Sequence, residues 1–160
     1  MLRRNTFDSK KIPLGLYKKF VSLMPICCVD IVFKAKKKVY LFKRAYEPAK
    51  NGWWFVGGRI LKGEKLRDAA RRKVNEEIGV DAKIASMIGV YETFLKANRF
   101  DTIDKSGTHS ISICFLAEPR EKNFRLKLNE EYTGWKTIEK IDKNLHPYIR
   151  SVLRDSGALK

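Results

Sequence analysis

A chain of 160 residues that is 44% hydrophobic can bury a sizeable core, and at this length one domain is the usual outcome. Its formal net charge of +16 makes a cationic surface that attracts phosphate-bearing small molecules and nucleic acid alike. Cys27, Cys28 and Cys114 are too few and too poorly spaced for a zinc cage, and adjacent cysteines make a poor disulfide framework, so a reduced, cytoplasmic setting fits. Residues 1–20 mix Arg and Lys with isolated apolar residues, which fits neither a signal peptide nor a membrane span.

Residues 1–24 read as an N-terminal helix or arm. Leu16, Phe20, Leu23 and Met24 recur at helical spacing, and the expected role is peripheral packing. Residues 26–33 and 39–42 are β-branched and aromatic runs separated by Lys36 to Lys38, as in a hairpin or two adjacent strands. Trp53, Trp54, Phe55 and Val56 read as one short strand that ends at Gly57-Gly58. Over residues 66–78, Leu66, Ala69, Ala70, Val74 and Ile78 share one helical face, and Gly79 stands where a C-cap glycine belongs. Strands follow at 83–93 and 110–117, split by a polar surface loop over 98–108, and a last helix at 147–154. With no repeat, low-complexity tract or linker, strands between helices predict one α/β layered domain over residues 1–160.

The stretch GRILKGEKLRDAARRKVNEEIGV, residues 58–80, carries the chemistry. Gly57 and Gly58 let the backbone turn tightly, so that loop carbonyls can face a cation and N–H groups a phosphate. The helix that follows delivers the anions. Glu76 and Glu77 project about 100° apart and can straddle a metal, and hard oxygen ligands suit Mg²⁺, with Mn²⁺ as a substitute. Two carboxylates alone would be ordinary solvated charges. What reverses the balance is their setting, because the stretch resembles the box that defines the Nudix hydrolases. Gly58, Glu64, Arg72, Val74, Glu76, Glu77, Gly79 and Val80 match the box; Lys73 stands where it has Glu. The resemblance implies an α/β/α sandwich with a mixed central sheet, a metal held by Gly58, Glu76 and Glu77, and Glu64 and Arg72 as scaffold between loop and helix. It also implies a small-molecule nucleotide substrate, and dimers are common in the family, so a homodimer is expected.

Outside the box the chain resembles the GDP-mannose mannosyl hydrolase branch. Asp30 lies in VDIVF, Lys43-Arg44 ends LFKR, Pro48 to Val56 reads PAKNGWWFV, and Arg59 follows the glycine pair. The resemblance implies that Lys43, Arg44 and Arg59 bind the diphosphate, while Asp30 and His109 approach the sugar. Where that branch has a histidine thought to be the general base, NEEYTGWKTIEK offers Glu130 and Glu131. A carboxylate can serve as base or metal ligand. The leading expectation is Mg²⁺-dependent hydrolysis of a GDP-mannose-type nucleotide sugar to GDP and free sugar, with Glu77, Glu130, Glu131 and His109 as catalytic candidates. Pyrophosphohydrolysis of a nucleoside triphosphate or a nucleotide sugar is the second reading. An RNA-binding or regulatory Nudix domain, motivated by the charge and by Lys73, is the third, and nucleic acid is the less favoured partner because the charge is spread along the chain.

Overall fold

The computed structural model describes residues 12–96 and 107–159. In chain order the elements are α1 (Leu14–Leu23), β1 (Ile26–Ala35), β2 (Lys38–Arg44), β3 (Trp53–Trp54), β4 (Val56–Arg59), α2 (Leu66–Ile78), β5 (Ala82–Leu95), β6 (Thr108–Pro119), β7 (Tyr132–Ile138) and α3 (Pro147–Ser156). The strands make one mixed sheet in the order β3-β2-β1-β6-β5, with β4 also on β1 and β7 also on β2. β1 and β6 run parallel, and the other pairings are antiparallel. Among the described residues no helix is long and apolar enough to cross a membrane.

The alternation along β1 builds two cores. Val29, Ile31 and Phe33 face α2, where they meet Ala69, Ala70, Val74 and Ile78. Val32 faces α3, in a cluster with Phe55, Cys114, Ile149, Val152 and Leu153. A strand buried on both faces reads as a continuous apolar run, and that is how residues 29–33 read apart from Asp30. Helix, sheet and helix thus form the expected α/β/α sandwich.

The Gly79 cap ends α2 where the sequence places it, and α3 runs two residues past the expected 147–154. Gly79 takes the left-handed conformation at φ 69°, and its N–H donates to the Asn75 carbonyl. At α3, Pro147 opens the helix and His146 Nδ1 accepts from the Tyr148 N–H at 3.2 Å.

Two elements differ from expectation. The run Trp53 to Val56 is not one strand: β3 pairs with β2, and β4, which includes both glycines, pairs with β1. Consequently β1 hands its edge from β4, along residues 28–31, to β2, along residues 33–35. The sheet forks there, and a cavity opens at the fork. Only glycine fits at the crotch, because a Cβ on Gly57 would come within 2.1 Å of Asp30 Oδ1 and 2.4 Å of the Val29 carbonyl oxygen. The second difference is β7, which the sequence conceals behind Gly134 and alternating polar residues. Of the polar loop expected over residues 98–108, all but Gly107 and Thr108 lie outside the described residues, and Thr108 already belongs to β6.

Candidate active site

A cavity of about 460 Å³ occupies the fork, walled by α1, β1, β4, α2, β6 and the segment leading into β7. Its floor carries two carboxylates that arrive from different elements. Glu77 comes from the last turn of α2 and is 2% exposed; Asp30 comes from β1 and is 8% exposed.

Glu77 is fully engaged. One carboxylate oxygen, Oε2, accepts from the Tyr132 hydroxyl at 2.5 Å and from the Gly57 N–H at 3.2 Å. The other, Oε1, is ion-paired with Lys73. Burial, and after it the Glu77 charge, pushes the Tyr132 hydroxyl well above its ordinary range, so this hydroxyl donates and does not ionise. Beside this pair, Arg72 ties the loop to the helix. Its Nε and Nη2 donate to the two oxygens of Glu64 at 2.7 and 2.9 Å, its Nη2 also reaches the Arg59 carbonyl at 3.2 Å, and its Nη1 reaches Glu76 Oε2 at 3.0 Å. Glu64 in turn accepts from the Leu61 N–H at 3.1 Å. A two-pronged guanidinium–carboxylate pair fixes orientation as well as distance.

Asp30 is held by neutral donors. Tyr148 of α3 donates to its Oδ2, Ser112 of β6 also bonds to it, and Tyr148 is itself stacked on Trp54 with ring centroids 5.4 Å apart. Burial pushes the Asp30 carboxyl up to about 6, against the pull of Tyr148, Ser112 and the Arg44 charge. A carboxyl in that range exchanges a proton near neutral pH. Arg44 lines the same cavity, with a buried Nε that has no hydrogen-bond partner among the described residues. Arg59 lines the rim beneath Tyr17 of α1, 5.3 Å from the ring centroid. Cys28 lines the cavity too, but burial pushes its thiol up to about 12, which leaves no thiolate for nucleophilic work.

Of the residues singled out in the sequence, Asp30, Arg44, Gly58, Arg59, Glu76, Glu77 and Glu131 line this cavity. Lys43, Glu130 and His109 do not. His109 is stacked on Phe94 with centroids 4.3 Å apart and pairs with the Glu92 carboxylate at 3.3 Å. It alternates along β6 with Thr108 and Ser110, which do line the cavity, so strand parity turns it away. The same alternation separates Arg44 from Lys43 on β2, while in the turn before β7 Glu131 lines the cavity and Glu130 is exposed. Sequence reasoning missed Tyr132, Tyr148 and Ser112, and it also missed Tyr17 and Val21, which make α1 a wall of the cavity where packing alone was expected. No local signal marks these residues, since each matters only through its tertiary neighbour.

The donors fit a hard divalent ion in kind: Glu76, Glu77 and Glu131 carboxylates and the Gly58 backbone share one cavity. They are not drawn into a finished cage. Among the described residues no three His, Cys, Asp or Glu side chains converge to hold a metal, because Arg72 holds Glu76 and Lys73 holds Glu77.

A looped helix carrying Glu76 and Glu77, set in this forked α/β/α sandwich, defines the class. The NUDIX domain family matches residues 25–155, and the chain belongs to that family. The chain is similar to the low-salt glycan biosynthesis protein Agl8 of Haloferax volcanii, with 31% identity over 153 residues covering 94% of this chain and 96% of that protein. It is also similar to an ADP-ribose pyrophosphatase of Methanocaldococcus jannaschii, 32% identical over 109 residues that cover 68% of this chain and 59% of that one. Among solved structures, the MutT NUDIX hydrolase from Burkholderia pseudomallei superposes with TM-score 0.65 at 18% identity, covering 82% of this chain and 98% of that one. The MutT protein from Methanosarcina mazei Go1 gives TM-score 0.65 at 21% identity, with 82% and 94% covered. These two likenesses establish the fold alone.

Proposed function

We propose that the chain is a metal-dependent hydrolase of a nucleoside diphosphate joined to a sugar, with a GDP-mannose-type substrate split into GDP and free sugar. The observation that carries this reading is the composition of one cavity: an Arg44 guanidinium whose buried Nε has no hydrogen-bond partner among the described residues, a second guanidinium at Arg59, and two buried carboxylates of different character. Two planar cationic forks suit a diphosphate. The branch resemblance in Asp30, Arg44 and Arg59 supports the nucleotide-sugar choice, as does the glycan biosynthesis role in the printed name of the Haloferax relative.

Bound Mg²⁺ or Mn²⁺ would be held by Glu77, Glu76 and the Gly58 carbonyl, and would neutralise diphosphate charge. The chain's own groups do the rest. Arg44 and Arg59 hold the diphosphate. Asp30, half-titrated near pH 6, hydrogen-bonds the sugar side. Glu131 is the carboxylate placed to take the proton of the attacking water, in the position where the mannosyl branch has histidine. The water oxygen joins the sugar carbon, the carbon–oxygen bond to the diphosphate breaks, and GDP leaves with the electron pair. Lys43, Glu130 and His109 have no part in this site.

Cleavage between phosphates is the second reading, favoured by the pyrophosphatase and 8-oxo-dGTP diphosphatase names among the relatives. A substrate panel with Mg²⁺ separates the two. GDP plus mannose from GDP-mannose is the expected result. GMP plus mannose phosphate, or turnover confined to ADP-ribose or triphosphates, would replace the leading reading with the second.

A further inference from the structure

Lys73 occupies the box position where the family pattern has a glutamate, and its surroundings show what that exchange does. Its ammonium pairs with Glu77 Oε1, and the two side chains are only 16% and 3% exposed. Its stem lies across the glycine turn, so that a Cβ on Gly58 would come within 3.0 Å of Lys73 Cε. Gly58 adopts φ 153° at this point. The pair therefore sits inside the cavity and is shielded from bulk water.

Ordinary helix-surface pairing does not account for this contact. Lysine preceding glutamate by four residues is the less favourable order along a helix. Burial does account for it, since a charged carboxylate removed from water is costly unless compensated, and an adjacent ammonium compensates it. The remaining oxygen of Glu77 is already taken by the Tyr132 hydroxyl and the Gly57 N–H. Oε1 is thus the oxygen a metal would use, and an ammonium stands on it.

We propose that Lys73 is a built-in competitor for divalent metal: its ammonium and a metal ion take the same oxygen of Glu77 in turn. With no ion bound, Lys73 keeps the buried carboxylate neutralised. When an ion binds, the displaced ammonium remains in the cavity with Arg44 and Arg59, because its stem is pinned over Gly58. The site accordingly binds metal more weakly than the same carboxylates would without the lysine. The proposal rests on the metal-dependent reading above, but it concerns binding and not turnover.

The test is a calorimetric titration of Mn²⁺ into the nucleotide-free full chain, comparing wild type with K73Q and K73R. Competition predicts that K73Q binds Mn²⁺ at least tenfold more tightly, while K73R, which retains a cation, stays within threefold of wild type. Affinity in K73Q equal to or weaker than wild type would overturn the proposal while leaving the hydrolase reading standing. Absence of Mn²⁺ binding by all three proteins would sink both, and failure of GDP-mannose turnover with the K73Q gain intact would sink the GDP-mannose reading alone. If K73Q does not fold, wild type supplies the decision through acetylation of lysines mapped by mass spectrometry. Saturating Mg²⁺ should raise the modification rate of Lys73 at least threefold, and an unchanged or lower rate would refute displacement.

Discussion

The two buried carboxylates of the cavity solve the same problem in opposite ways. Glu77, on the α2 side, is neutralised by a full positive charge from Lys73 and braced by Tyr132 and Gly57. Asp30, in contact with α3, is held by the hydroxyls of Tyr148 and Ser112, with the Arg44 charge acting as well. The first arrangement sets a resident cation against the carboxylate oxygen that a metal would use. The second leaves a carboxyl that gains and loses a proton near neutral pH. One fold thus supplies an ion-paired carboxylate and a titrating one within a single cavity.

The largest effect is expected from removing the ion-paired carboxylate. Glu77→Gln should lower kcat by on the order of 10²–10³-fold, the scale for losing one charge-stabilising group. Far-UV circular dichroism should be unchanged, because the amide keeps its volume and still accepts from Tyr132. Equal kcat in that variant would remove Glu77 from the site.

Next comes the titrating anion. Asp30 has its carboxyl raised from 3.8 to about 6 on folding, so the native state binds its proton more readily than the unfolded chain does. Its contribution to stability is therefore greatest below pH 4 and declines as pH rises to about 6. The full penalty above that pH is about 3 kcal/mol. Asp30→Asn should flatten the wild-type fall in denaturation free energy between pH 4 and 7. Tyr148→Phe should act in the opposite sense: loss of a hydrogen bond that pulls the Asp30 carboxyl down moves the acidic limb of kcat/KM to higher pH. An unshifted limb would mean that Asp30 does not govern the profile.

Two smaller effects sharpen the account of the rim. Arg44→Lys keeps the charge but loses the fork, and should raise KM by about tenfold, equivalent to about 1.4 kcal/mol, with a lesser change in kcat. Tyr17→Ala removes the ring over Arg59 and should cost about 0.5–1 kcal/mol in nucleotide binding, read as a KM change of a few-fold. No change there would return α1 to the purely packing role that its sequence suggests.

What the sequence made legible was local. The glycine turn, α2 and its Gly79 cap are specified by residues within one stretch of chain, and the family, the layering and the box carboxylates followed from them. Less legible was anything set by pairing. Strand parity decides between Arg44 and Lys43 and between Ser110 and His109, and a shift of one residue reverses the face. The turn before β7 leaves Glu131 in the cavity and Glu130 outside it, which no strand pattern could have told. The fork at Phe55 was hidden for a similar reason: the run Trp53 to Val56 looks continuous, and only the exchange of partners from β2 to β1 divides it. Tyr132 and Tyr148 carry no motif, yet each donates to one of the two carboxylates from elements 55 and 118 residues away.

The most direct test of the proposed chemistry is hydrolysis of GDP-mannose with Mg²⁺ in ¹⁸O-labelled water. Attack at the sugar carbon predicts label in free mannose and none in GDP. Label in a phosphate of either product, or no turnover of the nucleotide sugar at all, would contradict it.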